Sequence, residues 1–103
     1  MHGKRAVIRQ IQNTLITFLN QHNVKYQMND KRRLGINIII DKNDFNKYFN
    51  NIQDIISMLI NDRWIYTAHI IMLDESYIIK LVYATYKERE EMKVIKQKDF
   101  ISL

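Results

Sequence analysis

The chain has 103 residues, 47% of them hydrophobic, with 16 Lys/Arg against 11 Asp/Glu and a formal net charge of +5. That length suits one domain spanning residues 1–103, and the apolar fraction is too high for an intrinsically disordered chain. With no cysteine, no proline and two glycines, a disulfide framework, a Cys-based zinc site, a thiol nucleophile and a glycine-rich phosphate loop are all excluded.

From Lys4 to Asn20, the residues Ile8, Ile11, Leu15, Phe18 and Leu19 recur at three- and four-residue spacing. This predicts an amphipathic helix. Arg5 and Arg9 stand one turn apart on another side of it. Cations at a helix N-terminus oppose the macrodipole, a small cost that points weakly to an anionic partner. His22-Asn23 ends this helix. Val24, Tyr26 and Met28 then alternate with Lys25, Gln27 and Asn29, the period of a half-buried strand. After the polar stretch Asn29–Arg33, Leu34–Ile40 reads as a second strand with Ile36, Ile38 and Ile40 on one face. The two strands predict a hairpin with a basic tip.

Asp41-Lys42-Asn43-Asp44 is a helix start signal, with capping side chains and early negative charge. Phe45, Tyr48, Phe49, Ile52, Ile55, Ile56 and Leu59 form the clearest helical stripe, ending near Asn61-Asp62. Trp64–Leu73 and Tyr77–Ala84 are β-branched and aromatic, and only Asp74-Glu75-Ser76 separates them. They predict a second antiparallel hairpin. Thr85-Tyr86-Lys87-Glu88 has capping-box spacing. Residues 86–97 therefore read as a short terminal helix, with a strand around 92–95 as the alternative. Phe100-Ile101-Ser102-Leu103 is an apolar tail.

The order α-β-β-α-β-β predicts an α+β fold: a four-stranded antiparallel sheet made of two hairpins, two amphipathic helices on one face, and a short C-terminal helix. Ile11-Gln12-Asn13 and Ile52-Gln53-Asp54 occupy similar places in the two helices. The echo alone is too short to define a repeat.

Few catalytic arrangements are available. His2, His22 and His69 have no metal-ligand spacing. Asp41 and Asp44 are explained as caps, and Asp74 and Glu75 as a turn. Glu91-Met92-Lys93 matches a nuclease fragment but lies in a charged, helical stretch. Ser57, Ser76 and Ser102 lack a partner base. The expectation is a non-enzymatic protein without cofactor or metal.

Charge is distributed unevenly. Residues 1–33 hold seven Lys/Arg against Asp30, a net +6; residues 34–103 hold nine against ten, a net −1. Lys4, Arg5, Arg9, Lys31, Arg32 and Arg33 are the candidate contacts to a phosphate backbone, giving salt-dependent affinity without base specificity. Tyr26, Tyr66, Tyr77 and Tyr83 fall in strands. Facing outward they would stack on unpaired bases; facing inward they are core, the favoured reading. Phe100, Ile101 and Leu103 are candidate protein contacts.

The first reading is thus a small basic nucleic-acid-binding accessory protein. The Ile-, Asn- and Lys-rich composition suggests an AT-rich genome, such as that of a phage or mobile element. The alternative is a protein-binding inhibitor or assembly subunit using an apolar sheet face or the C-terminal tail. Expected partners are nucleic acid or an acidic protein surface and no membrane. A homodimer or hetero-complex is compatible with both readings. Cytoplasm, or a host-cell interior for a viral protein, is the expected location.

Overall fold

A computed structural model describes residues 3–30 and 35–83 of the chain. The first helix runs as α1 (Lys4–Ile11), a π-helical stretch (Gln12–Ile16) and α2 (Thr17–Gln21). The hairpin β1 (Tyr26–Asp30) and β2 (Gly35–Asp41) follows. Next come α3 (Lys42–Lys47), α4 (Phe49–Asn61), and a second hairpin of β3 (Ile65–Met72) and β4 (Ser76–Tyr83). All neighbouring strands are antiparallel, in the order β1-β2-β4-β3. This is the α+β fold that the hydrophobic pattern predicts. The expected C-terminal helix and the apolar tail lie outside the described residues, as does the hairpin tip.

The sheet sorts its residues by the two-residue period of a strand. Ile36, Ile38 and Ile40 of β2 and Ile79 and Leu81 of β4 are at most 1% exposed and face the helices. Val7, Ile11, Leu15, Leu19, Ile52, Ile56 and Leu59 pack onto them from above, all buried. Burying a side chain of this size contributes about 1.5–3 kcal/mol, which is why the stripe decides the fold over local propensity.

Both long helices end in the same way. Asn23 has φ 57° and Arg63 has φ 64°. The N–H of the next residue bonds five residues back, Val24 to the Leu19 carbonyl and Trp64 to the Leu59 carbonyl, each at 2.9 Å. Asn23 N–H and Arg63 N–H bond to the Asn20 and Ile60 carbonyls. These are paired Schellman motifs, in which a left-handed residue reverses the chain and satisfies the last carbonyls. Both reversals lead directly into a hairpin.

Two features depart from the sequence reading. The stripe from Phe45 to Leu59 predicts one helix, whereas the chain breaks at Tyr48 (φ −107°, ψ 21°) between α3 and α4. The Tyr48 ring sits 4.9 Å from His22 and 5.6 Å edge-on from Phe18, against the end of the first helix. The break also turns Phe49 off the buried stripe, leaving it 43% exposed. The second departure is the π-helical stretch. There the Thr17 hydroxyl donates to the Gln12 carbonyl at 2.9 Å, and the Thr14 hydroxyl to the Gln10 carbonyl at 2.8 Å. Hydroxyl groups so placed support carbonyls whose ladder is out of α register. Asp41 behaves as predicted: its carboxylate accepts from Asn43 N–H at 2.9 Å and Asp44 N–H at 3.3 Å.

Candidate polyanion-binding corner and the open sheet face

Lys4 opens α1, and no acidic residue lies in that helix's first turn. Its ammonium is 3.3 Å from an Asp30 carboxylate oxygen, at the end of β1. The other Asp30 oxygen accepts a hydrogen bond from the Tyr83 hydroxyl at 3.4 Å. The Lys4 ammonium also lies 6.0 Å from the Tyr83 ring centroid. Three segments far apart in sequence therefore meet at one corner: the start of the first helix, the root of the first hairpin and the end of β4. The Tyr83 phenol is pushed well above its usual value near 10, mainly by burial and then by the Asp30 charge and hydrogen bond. It stays a neutral donor throughout the physiological range.

The structure treats the predicted cations differently. Lys4 is paired with Asp30, so part of its charge is neutralised locally. Arg5 and Arg9 are exposed on α1, and neither forms an ion pair among the described residues. Lys31, Arg32 and Arg33 lie outside the described residues, but Asp30, the residue before them, is placed against Lys4. Phe100, Ile101 and Leu103 also lie outside the described residues.

Among the described residues the opposite face of the sheet carries no stacking platform. Tyr26 pairs with Ile40 and Tyr77 stacks on Phe45 at 4.6 Å between centroids. Tyr83 is 8% exposed, and Tyr66 packs against the core from the irregularity between Ile65 and Thr67. The tyrosines thus take the inward, core role that the sequence reading favours, and the register puts the alternate, non-aromatic residues on that face. Asn29, Asn37, Lys80 and His69 form one cross-strand row. Gln27, Ile39, Ile78 and Ile71 form the next. Thr67, on the same face, is 5% exposed, and among the described residues neither its hydroxyl oxygen nor the Asn37 side-chain oxygen has a hydrogen-bond partner.

Two features escape the hydrophobic pattern. One is the Phe18–His22–Tyr48 cluster, with Phe18 and His22 4.4 Å apart and the Lys47 ammonium 5.3 Å from the Tyr48 ring. The other is a hollow of about 590 Å³ lined by Asn20, Asn23, Val24, Lys25 and Tyr26. Among the described residues that line it there is no carboxylate or histidine. Among the described residues no group of three or more His, Cys, Asp or Glu could hold a metal, and no helix is long and apolar enough to cross a membrane. No protein-family model, no curated protein and no solved structure matches this chain.

Proposed function

We propose that this is a small, non-enzymatic nucleic-acid-binding accessory protein that grips phosphate backbone with the start of its first helix and the tip of its first hairpin. The observation that carries the reading is the Lys4–Asp30 contact. It joins the helix bearing Arg5 and Arg9 to Asp30, the residue that precedes Lys31, Arg32 and Arg33 in the chain. Arg5 and Arg9 add exposed guanidinium groups one turn apart. The inward packing of the tyrosines among the described residues favours backbone contact over base stacking. The AT-rich composition fits a phage or mobile-element source.

Filter binding of mixed-sequence duplex DNA across salt tests this. Affinity should fall linearly in log K against log salt, and Arg5→Gln with Arg9→Gln should flatten the slope by roughly two units, about 0.9 per lost contact. No binding at low salt, or binding indifferent to salt, rejects the reading.

A second reading is favoured by the row Ile39–Ile78–Ile71, with Ile71 42% exposed on the face opposite the helices. Such apolar surface suits a protein partner. A partner retained after nuclease treatment and lost in Ile71→Glu supports it; unchanged retention counts against it.

A further inference from the structure

We propose that Asp30 is a built-in competitor of the polyanion, its carboxylate occupying the place at Lys4 that a backbone phosphate takes on binding. The inference rests on the phosphate-binding reading of this corner and adds its regulation. Within residues 1–33 Asp30 is the sole acidic residue, and the fold sets it on the ammonium of the first helical residue. It is held from two sides. Lys4 lies 3.3 Å from one oxygen, and the Tyr83 hydroxyl donates to the other at 3.4 Å. Tyr83 is itself nearly buried, at 8% exposure, and fixed in β4 by its pairing with Ile65. It therefore anchors the carboxylate to the rigid sheet.

The ion pair remains accessible. The Lys4 and Asp30 side chains are 43% and 47% exposed, so a phosphate oxygen can reach the ammonium once the carboxylate yields. A pair this exposed contributes little to stability and is easily broken. A polyanion must nevertheless displace it and then sit beside a like charge. Asp30 thus costs affinity at the corner and disfavours weak or isolated anions more than a continuous backbone, which engages Arg5 and Arg9 together.

The test is a salt titration of mixed-sequence duplex DNA on the full chain and three variants: Asp30→Asn, Asp30→Asn with Lys4→Met, and Asp54→Asn. Asp54 is exposed on α4, and its variant raises net charge equally without touching the corner. Asp30→Asn should bind roughly five- to tenfold more tightly at 0.1 M salt and steepen the log–log slope by about 0.9, the signature of one added phosphate contact. Asp54→Asn should stay within about twofold of the wild type, since charges beyond a Debye length are screened. Adding Lys4→Met should remove the gain. Asp30→Ser gives the same comparison should the amide variant be destabilised. Salt-dependent wild-type binding with no gain in either Asp30 variant, or an equal gain in Asp54→Asn, overturns the competitor role while leaving the phosphate-binding reading intact. Absence of binding, or of salt dependence, in every variant overturns both.

Discussion

The two halves of the molecule use one local plan in different ways. Each is a helix, a Schellman reversal and a hairpin, and the sheet joins them through β2 and β4. Leu19, Asn23 and Val24 stand 40 positions before Leu59, Arg63 and Trp64, their counterparts at the helix ends. Counting back, eight residues separate Leu19 from Ile11, but seven separate Leu59 from Ile52, and Ile11 and Ile52 are both at most 1% exposed. The π-helical stretch Gln12–Ile16 absorbs the extra residue. So the Ile-Gln-Asn and Ile-Gln-Asp echo stands one residue out of register relative to the two helix ends, the slip falling inside the first helix. The first half carries the cationic excess and the inserted residue. The second half carries the longer strands, eight residues each. The comparison teaches that one local plan is carried by two segments of unlike charge that contribute jointly to one core.

The seam between the halves is the most sensitive place to break it. Gly35 adopts φ 145° opposite Val82, and a Cβ there would overlap the Leu81 carbonyl oxygen. The obstacle is backbone, so no side chain can move aside to make room. Gly35→Ala should cost at least about 3 kcal/mol, through both backbone strain and overpacking. Urea unfolding monitored by far-UV circular dichroism checks this; a loss under about 1 kcal/mol would show that β2 and β4 can separate locally.

Deleting single helical residues sharpens the comparison. Asn13 is exposed within the π-helical stretch, and Asp54 is its echo, exposed in regular α4. Removing Asn13 should restore an unbroken α register while Ile11 keeps its buried face, changing stability by no more than about 1 kcal/mol. Removing Asp54 rotates Ile52 and everything before it by about 100° out of the core. That should cost at least about 3 kcal/mol, on the scale of a lost core side chain. Equal losses in the two variants would mean that the π turn is not an absorbed insertion.

Much of this architecture was legible in the residues. The alternation of Ile36, Ile38 and Ile40, and of Tyr77, Ile79, Leu81 and Tyr83, states which strand face is buried. Asp41 announces a helix start and caps one. The break at Tyr48 was not legible, because Tyr48 fits the apolar stripe by spacing and its contacts with Phe18 and His22 are tertiary. The π turn was not legible either, since one inserted residue leaves three- and four-residue spacings on both sides. At the corner, the sequence named Lys4 but gave no sign of its partner: Asp30 is 26 positions away and reaches Lys4 only once the hairpin folds under the helix. The inward packing of the tyrosines was legible, since Tyr26, Tyr77 and Tyr83 fall in phase with the core residues of their strands.

A smaller effect separates two positions on the sheet face opposite the helices. Thr67 is 5% exposed and its hydroxyl is unpartnered among the described residues, whereas its counterpart 40 positions earlier, Gln27, is exposed on β1. A shielded hydroxyl with no acceptor or donor carries an uncompensated desolvation penalty. Thr67→Val keeps the branched shape, removes that penalty and should raise stability by about 1 kcal/mol. Gln27→Val removes no such penalty and should leave stability within about 0.5 kcal/mol. Thermal melts of the two variants decide, and a loss of stability in Thr67→Val would show that the hydroxyl is hydrogen-bonded in solution.

The smallest effect lies at the helix ends, where the halves adopt one conformation with different residues. Asn23 and Arg63 both sit in the left-handed region, at φ 57° and 64°. Asparagine tolerates it, because its short polar side chain bonds locally, whereas a long side chain meets the full clash of Cβ with the carbonyl oxygen. Glycine removes the clash but loses more freedom on folding, about 0.5–1 kcal/mol, against about 1–2 kcal/mol of relief for an ordinary residue. Arg63→Gly should therefore stabilise by about 0.5 kcal/mol, while Asn23→Gly should be neutral or slightly unfavourable. Both residues are exposed, so neither change disturbs the core, and paired urea midpoints can resolve the difference. A gain at Asn23 as large as that at Arg63 would mean that side-chain chemistry does not distinguish the two reversals. The strain would then belong to the backbone path itself, equally in both halves.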